Sequence, residues 1–162
     1  MTDFKSKIAT FFSVVWPFGF FPFAPGTITS LFAVFIGFLI NVYIGSDITM
    51  LLAILSGVLG WFTTNIYIKN NNKQDPSEVV IDEFSGQLIA TAAAGTSPFF
   101  NIIALILFRI FDILKPGLIK QVENLDGATG IMMDDWIAGF VSACIIVIFS
   151  TLGLIEYKWF TI

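Results

Sequence analysis

Five acidic side chains are the clearest candidates for chemistry in a very apolar chain. They are Asp82, Glu83, Asp112, Asp134 and Asp135, and they stand at the ends of, or inside, segments of membrane length. A charged side chain at the centre of a membrane helix costs about 2.5–3.5 kcal/mol on insertion scales, and less near the interface. Since a bound cation would compensate several carboxylates together, the acids predict a divalent-cation site at a membrane surface.

A basic pair accompanies the acids. Arg109, Asp112 and Lys115 follow at a spacing of three, so they share one face of a helix that Pro116 ends. One interpretation is an Arg109–Asp112 ion pair buried against other helices. The other is that Arg109 and Lys115 bind a phosphate, which the planar donors of arginine suit, beside a metal-binding Asp112.

Helix capping offers a simpler explanation for part of the acidic set. Asp82 could be an N-cap, and so could one of the two acids that precede the last apolar segment, Asp134 and Asp135. Capping explains one acid of each pair better than two, and a cation would relieve the repulsion between neighbouring acids. Metal ligands are therefore predicted among Asp82, Glu83, Asp134 and Asp135, as a set smaller than the five acids.

The start of the first long apolar segment is a further candidate. Pro25 and Gly26 leave free backbone N–H groups there, and Thr27 and Ser30 could add hydroxyls to an anion site. A plain helix cap explains the same residues.

Composition indicates one membrane-embedded domain, residues 1–162. Hydrophobic residues make up 56% of the chain and charged residues 12%, against about 25% charged in a soluble domain. The net charge of −4 argues against nucleic acid as a partner, because that would need a basic patch. The chain has no histidine, which excludes Ser-His-Asp triads and His-ligated metals, and its single cysteine, Cys144, allows no intramolecular disulfide.

The apolar segments predict an all-α membrane bundle of about five passes, preceded by an interfacial or re-entrant helix. The passes are Ile28–Ile44, Ile48–Ile68, Phe84–Phe100, Asn101–Leu114 and Trp136–Ile155, and the interrupted N-terminal segment is Ile8–Phe23. Polar loops are predicted at Lys69–Glu78 and Lys115–Asp135. With a cytoplasmic N-terminus, six lysines fall on the cytoplasmic side, two before the first segment and two in each polar loop. The same threading brings all five acids to that side.

Carboxylates suited to Mg²⁺ and basic groups suited to phosphate, at a lipid–water boundary, predict metal-assisted phosphoryl chemistry on a lipid headgroup. Attack by water and a covalent aspartyl-phosphate route both fit these residues.

The motifs resemble those of the phosphatidylglycerophosphatase A family. The resemblance rests on Pro25-Gly26-Thr27 with Ser30, Asp82-Glu83-Phe84 with Gly86, Phe108-Arg109 with Asp112 and Lys115-Pro116, and Gly130–Asp135 with Ala138-Gly139. It implies a Mg²⁺-dependent phosphatase of the bacterial inner membrane, with its active site on the cytoplasmic face. The implied substrate is phosphatidylglycerophosphate, converted to phosphatidylglycerol and phosphate in glycerophospholipid biosynthesis. The implied acidic site is Asp82, Glu83, Asp112, Asp134 and Asp135, with Arg109 and Lys115 holding phosphate.

Two other functions account for some of these residues but fit the whole pattern less well. A CDP-alcohol-type lipid phosphotransferase would share the Asp cluster, but the arginine expected soon after Asp126-Gly127 is missing and the acid spacing differs. A small ion-coupled transporter would carry its acids at the membrane midplane, whereas most acids here lie at segment ends.

Overall fold

The computed structural model describes residues 2–73 and 76–152, and within these ranges all regular secondary structure is helical. The α-helices are α1 (Thr2–Ser13), α2 (Pro25–Tyr43), α3 (Ser46–Asn71), α4 (Ile81–Ala94), α5 (Pro98–Leu114), α6 (Leu118–Glu123) and α7 (Ala128–Thr151). A short 3-10 helix, Phe18–Phe20, lies between α1 and α2. The prediction of an all-α fold is confirmed.

Helix α4 is the centre of the bundle. It packs against α2, α3, α5 and α7, and most of its residues are buried, among them Leu88 and Ala90. Its Gly, Ala, Ser and Thr residues permit this, because small side chains let neighbouring backbones approach closely. The outer surface is the reverse, with large apolar side chains such as Phe35, Leu55 and Phe140 exposed. A small-residue interior inside an apolar exterior suits a bundle surrounded by lipid.

A buried asparagine fixes one end of the bundle. Asn41 Nδ2 donates to the carbonyls of Thr91 and Gly95, both at 2.9 Å, and Asn41 Oδ1 accepts from the Thr49 hydroxyl at 2.6 Å. The bonds join the end of α2, the start of α3 and the end of α4. The start of α2, the end of α3 and the start of α4 therefore meet at the opposite end.

The number of membrane passes is partly established. Helices α2, α3 and α7 are long and apolar enough to cross a membrane by length and composition. Helices α4 and α5 have 14 and 17 residues, fewer than the roughly 20 that a full pass needs. The count of five passes therefore stays a prediction. The interfacial or re-entrant placement of Ile8–Phe23 also stays a prediction. In this segment the structure has the second half of α1, which packs on α3, and the 3-10 helix.

The structure divides the predicted segment Phe84–Phe100 between two helices. Helix α4 ends at Ala94, and Gly95 turns the chain with a φ of 60°. Ser97 then caps α5 by accepting a hydrogen bond from Phe100 N at 3.2 Å. Helix α5 begins at Pro98, three residues before the start of the predicted segment Asn101–Leu114.

The predicted loop Lys115–Asp135 is wrong in part, because it contains α6 and the first two turns of α7. Helix α7 begins at Ala128, where Gly130 packs directly on the preceding turn. A Cβ at Gly130 would lie 2.2 Å from the carbonyl oxygen of Leu125. Of the predicted segment Trp136–Ile155, the last three residues lie outside the described ranges.

Candidate active site

A cavity of about 760 Å³ lies at the end of the bundle where α2, α4 and α7 begin and α3 and α5 end. Its lining includes seven of the predicted site residues, namely Asp82, Glu83, Arg109, Asp112, Lys115, Asp134 and Asp135. Sites for small molecules commonly have volumes of about 300–1,000 Å³, so the cavity has room for a headgroup larger than one phosphate. The three acid-bearing stretches meet at one end of the fold, as the threading predicted.

Three of the acids form a close cluster. One carboxylate oxygen from each of Asp82, Glu83 and Asp135 lies within 4.8 Å of the others. Glu83 Oε2 and Asp135 Oδ1 are buried and have no hydrogen-bond partner among the described residues. Buried polar atoms without partners are costly, and like charges at this distance repel. A hard cation would satisfy both oxygens and offset the repulsion, so these three residues fit a Mg²⁺ site.

Two glycines bring the acids together. A Cβ at Gly139 would lie 2.2 Å from the Gly86 carbonyl oxygen, and a Cβ at Gly86 would lie 2.5 Å from the Asp135 carbonyl oxygen. Helices α4 and α7 are therefore in backbone contact at this crossing. Asp82 and Asp135 each precede their glycine by four residues, about one helical turn. The close crossing thus places the two acid-bearing turns side by side.

Helix α2 closes on the cluster from another side through Gly26. A Cβ there would lie 2.1 Å from Glu83 Oε1 and 3.3 Å from Arg109 Nη1. Glycine is required because any side chain would occupy the space that Glu83 fills. The sequence offered Gly26 as a source of free backbone N–H groups, whereas the structure gives it a steric role at the acid cluster.

Arg109 lies beside the acids with donors to spare. Its Nη1 is 2.5 Å from Asp112 Oδ2, an ion pair of residues one turn apart on α5. The contact lacks hydrogen-bond geometry at Nη1, and both Nη1 and Nε are buried without a hydrogen-bond partner among the described residues. The predicted pair is thus present, and the guanidinium retains donors for a bound anion.

Lys115 joins a second acidic group. Its Nζ donates to Asp134 Oδ2 at 2.6 Å and to Glu123 Oε1 at 2.8 Å. Burial alone would lower the pKa of Lys115, but these two hydrogen bonds outweigh it and raise that pKa above its usual value. Hydrogen bonds from Lys115 and Lys120 hold the pKa of Glu123 below its usual range. The ammonium of Lys115 therefore stays charged and neutralises acids at the cavity wall.

Asp134 is separated from the three-acid cluster although it precedes Asp135 directly. Its carboxylate is turned to Lys115 instead, with Oδ2 2.6 Å from the Lys115 ammonium. Asp82 is likewise not an N-cap: Val80 occupies that position in α4, and Gly127 occupies it in α7. The capping explanation therefore does not account for these acids, which lie inside their helices.

Two predicted phosphate-binding residues do not line the cavity. Thr27 and Ser30 are absent from its lining, which α2 reaches through Pro25 and Gly26. The Ser30 hydroxyl donates to the Gly26 carbonyl at 2.9 Å inside the helix. Glu123, which falls in the predicted loop Lys115–Asp135, is a cavity residue. Its spacing of three from Lys120 within a short helix was the available signal.

A model of the family described as Phosphatidylglycerophosphatase A matches residues 8–150, a range that contains every residue of this cavity. The chain belongs to the phosphatidylglycerophosphatase A family. It is therefore a phosphatase, and its apolar helices are those of a membrane protein. A family of this kind implies a phospholipid substrate, which sets aside the transporter as an explanation of the acids.

Curated relatives agree with the family. A phosphatidylglycerophosphatase A of Escherichia coli K12 is 32% identical over 130 residues, covering 79% of this chain and 75% of the relative. One of Haemophilus influenzae is 34% identical over 129 residues, covering 78% of each. A Bacteroides thetaiotaomicron protein, provisionally named a phosphatidylinositol-3-phosphatase, is 38% identical over 138 residues, covering 80% of this chain and 86% of the relative. No solved structure matches the chain significantly.

Proposed function

We propose that this protein is a Mg²⁺-dependent phosphatase that hydrolyses phosphatidylglycerophosphate to phosphatidylglycerol and phosphate in glycerophospholipid biosynthesis. The observation that carries the proposal is the cluster of Asp82, Glu83 and Asp135, with its two buried, unpartnered oxygens, in the same cavity as Arg109. Family membership and the names of the Escherichia coli and Haemophilus influenzae relatives support the substrate.

The proposed metal ligands are Asp82, Glu83 and Asp135, a smaller set than the four acids that the sequence suggested. When bound there, Mg²⁺ supplies Lewis-acid chemistry, offsetting charge on phosphoryl oxygens and lowering the pKa of water. Asp134 is proposed to contribute indirectly, because its carboxylate is committed to Lys115.

The basic residues have different proposed tasks. Arg109 binds the phosphoryl group through the donors that Asp112 leaves free, and it stabilises the negative charge that develops during hydrolysis. Asp112 restrains the guanidinium through the ion pair. Lys115 holds the wall of the cavity by joining Asp134 and Glu123, and its positive charge attracts the phosphate.

Glu83 is the proposed general base. Water must lose a proton as its oxygen bonds to phosphorus, and a carboxylate at the phosphate is positioned to accept it. Glu83 places one carboxylate oxygen in the cluster, so its other oxygen can take the proton. Its contact with Gly26 restricts where that carboxylate can sit.

The proposed setting is the bacterial inner membrane, with five passes and the cavity on the cytoplasmic face. The lysine distribution supports this orientation, because Lys73 and Lys115 line the cavity and Lys69 and Lys120 lie in its flanking helices. Helices α2, α3, α4, α5 and α7 alternate in direction relative to the cavity, which is the threading that five passes require.

Phosphatidylinositol 3-phosphate is a second candidate substrate, favoured by the name of the Bacteroides thetaiotaomicron relative. Both lipids carry a phosphomonoester on a polyol headgroup. The test is phosphate release by detergent-purified protein from each lipid in mixed micelles, with Mg²⁺ or with EDTA. We expect release from phosphatidylglycerophosphate that is faster than from the inositol lipid and that EDTA abolishes.

Different results of that assay would contradict the phosphatase assignment, the metal requirement and the choice of substrate. Absence of release from both lipids would overturn the lipid phosphatase assignment. Undiminished release in EDTA would contradict the proposed role of Mg²⁺. Faster release from the inositol lipid would make that lipid the preferred substrate in place of phosphatidylglycerophosphate.

A further inference from the structure

A hydrogen-bonded chain lies directly behind the acid cluster. Trp136 Nε1 donates to Ser85 Oγ at 2.8 Å, and Ser85 Oγ donates to the Asp82 carbonyl at 3.0 Å. Trp136 follows Asp135 in α7, and Ser85 is fully buried in α4. The chain therefore connects the turn that carries Asp135 to the turn that carries Asp82.

The indole of Trp136 is held in place by a third helix. A Cβ at Gly57 of α3 would lie 1.9 Å from Trp136 Cζ2, so the ring edge sits directly against the Gly57 backbone. With the ring fixed, its N–H has a defined direction. Helices α4 and α7 already touch at Gly86 and Gly139, and the indole bond adds a polar restraint next to that crossing, on the side of the acids.

We propose that Trp136 and Ser85 are positioning residues that set the spacing between Asp82 and Asp135, an inference that rests on the proposed metal site. Neither side chain lines the cavity. Their bond fixes the relative position of two helical turns, and metal affinity depends steeply on ligand position, since supporting hydrogen bonds around a metal site commonly change affinity by tenfold or more. Because this bond acts through the backbone, the expected effect is smaller, a threefold to tenfold loss of affinity.

The experiment measures Mn²⁺ binding to detergent-purified full-length protein by the EPR signal of free Mn²⁺, since carboxylate sites that suit Mg²⁺ also bind Mn²⁺. Trp136→Phe keeps an aromatic ring and removes the N–H, and Ser85→Ala removes the acceptor. We expect each change to raise the Mn²⁺ dissociation constant about threefold to tenfold. The double variant should be no weaker than the weaker single variant, because both changes break the same bond.

The chain contains a matched control. Trp61 Nε1 donates to Thr129 Oγ1 at 3.1 Å, so it also joins a tryptophan N–H to a hydroxyl and links α3 to α7, but it does not connect the acid-bearing turns. Trp61→Phe should leave the Mn²⁺ dissociation constant within about twofold of the wild-type value, because it breaks the same kind of bond away from the acid-bearing turns. Thermal unfolding without metal records the purely structural cost of each variant.

The outcomes separate this inference from the metal site itself. Wild-type affinity in Trp136→Phe and Ser85→Ala, or an equal loss in Trp61→Phe, would overturn the positioning role while leaving the metal site in place. Additive losses in the double variant would show that the two residues act separately, which also contradicts the inference. Two results would overturn the metal site and this inference together. One is that the wild-type protein binds no Mn²⁺, and the other is that the Asp135→Asn variant binds Mn²⁺ as tightly as the wild type.

Discussion

Replacing Gly26 with alanine tests how precisely Glu83 must be placed. The new Cβ would lie 2.1 Å from Glu83 Oε1 and 2.9 Å from Glu83 Cδ. An ordinary contact begins near 3.4 Å, so the carboxylate must move by about 1.3 Å (3.4 minus 2.1). The obstacle is the far end of a flexible side chain, and the Glu83 carboxylate can therefore move while the backbones of α2 and α4 stay in place.

The expected effect is a large loss of turnover with little loss of stability. A misplacement of about 1 Å at a reacting group can lower the rate by about 100-fold. Alanine favours a helix over glycine by up to about 1 kcal/mol, which offsets part of the steric cost to folding. We therefore expect Gly26→Ala to reduce kcat by about 100-fold in the phosphate-release assay, while its thermal unfolding midpoint stays close to the wild-type value.

Gly37 of the same helix provides the control. A Cβ there would lie 2.6 Å from Thr91 Cγ2, so Gly37→Ala also crowds the packing between α2 and α4, but away from the cavity. It should lower the unfolding midpoint and leave kcat per folded molecule unchanged. The reasoning would be refuted if Gly26→Ala turned over at the wild-type rate, or if both variants lost kcat in proportion to stability.

Two further predictions concern stability. Lys115→Met removes the cation that pairs with Asp134, whose side chain is only 6% exposed, and should lower the free energy of unfolding by about 2–3 kcal/mol. Lys120→Met is the control, because the Lys120 side chain is 63% exposed, and it should cost below about 1 kcal/mol. Equal costs of the two variants in chemical denaturation would contradict the burial argument. Asn41→Leu removes three hydrogen bonds at the end opposite the cavity and should cost about 2 kcal/mol, taking roughly 0.6 kcal/mol for each bond in a membrane bundle. Its Mg²⁺ requirement should not change, and a raised requirement would show that the far end of the bundle is coupled to the cavity.

The gathering of the acids was predictable from sequence because topology alone determines it. Segment length gives the order of the helices, and lysine distribution gives the side on which each end lies. Asp82, Asp112 and Asp135 then fall at one end, whatever the details of packing. The Arg109–Asp112 pair was equally accessible, since a spacing of three on a helix brings side chains together.

The grouping within the cavity was not predictable, because it depends on where α7 begins. The stretch from Gly127 to Asp135 has small and polar residues and indicates a loop by local signals. In the structure it forms two helical turns, with Asp135 in the acid cluster and Asp134 paired with Lys115. The role of Gly26 was hidden for a similar reason, since close approach between α2 and α4 is a property of tertiary packing.

The most direct test of the central claim is Mg²⁺-dependent phosphate release from phosphatidylglycerophosphate by wild-type protein and by Asp135→Asn. Asp47→Asn is the matched control, because Asp47 lies in the first turn of α3, at the end of the bundle opposite the cavity. The account predicts that wild type and Asp47→Asn release phosphate only with Mg²⁺, and that Asp135→Asn releases none although it folds. Wild-type turnover by Asp135→Asn would contradict the assignment of the reaction to this cluster.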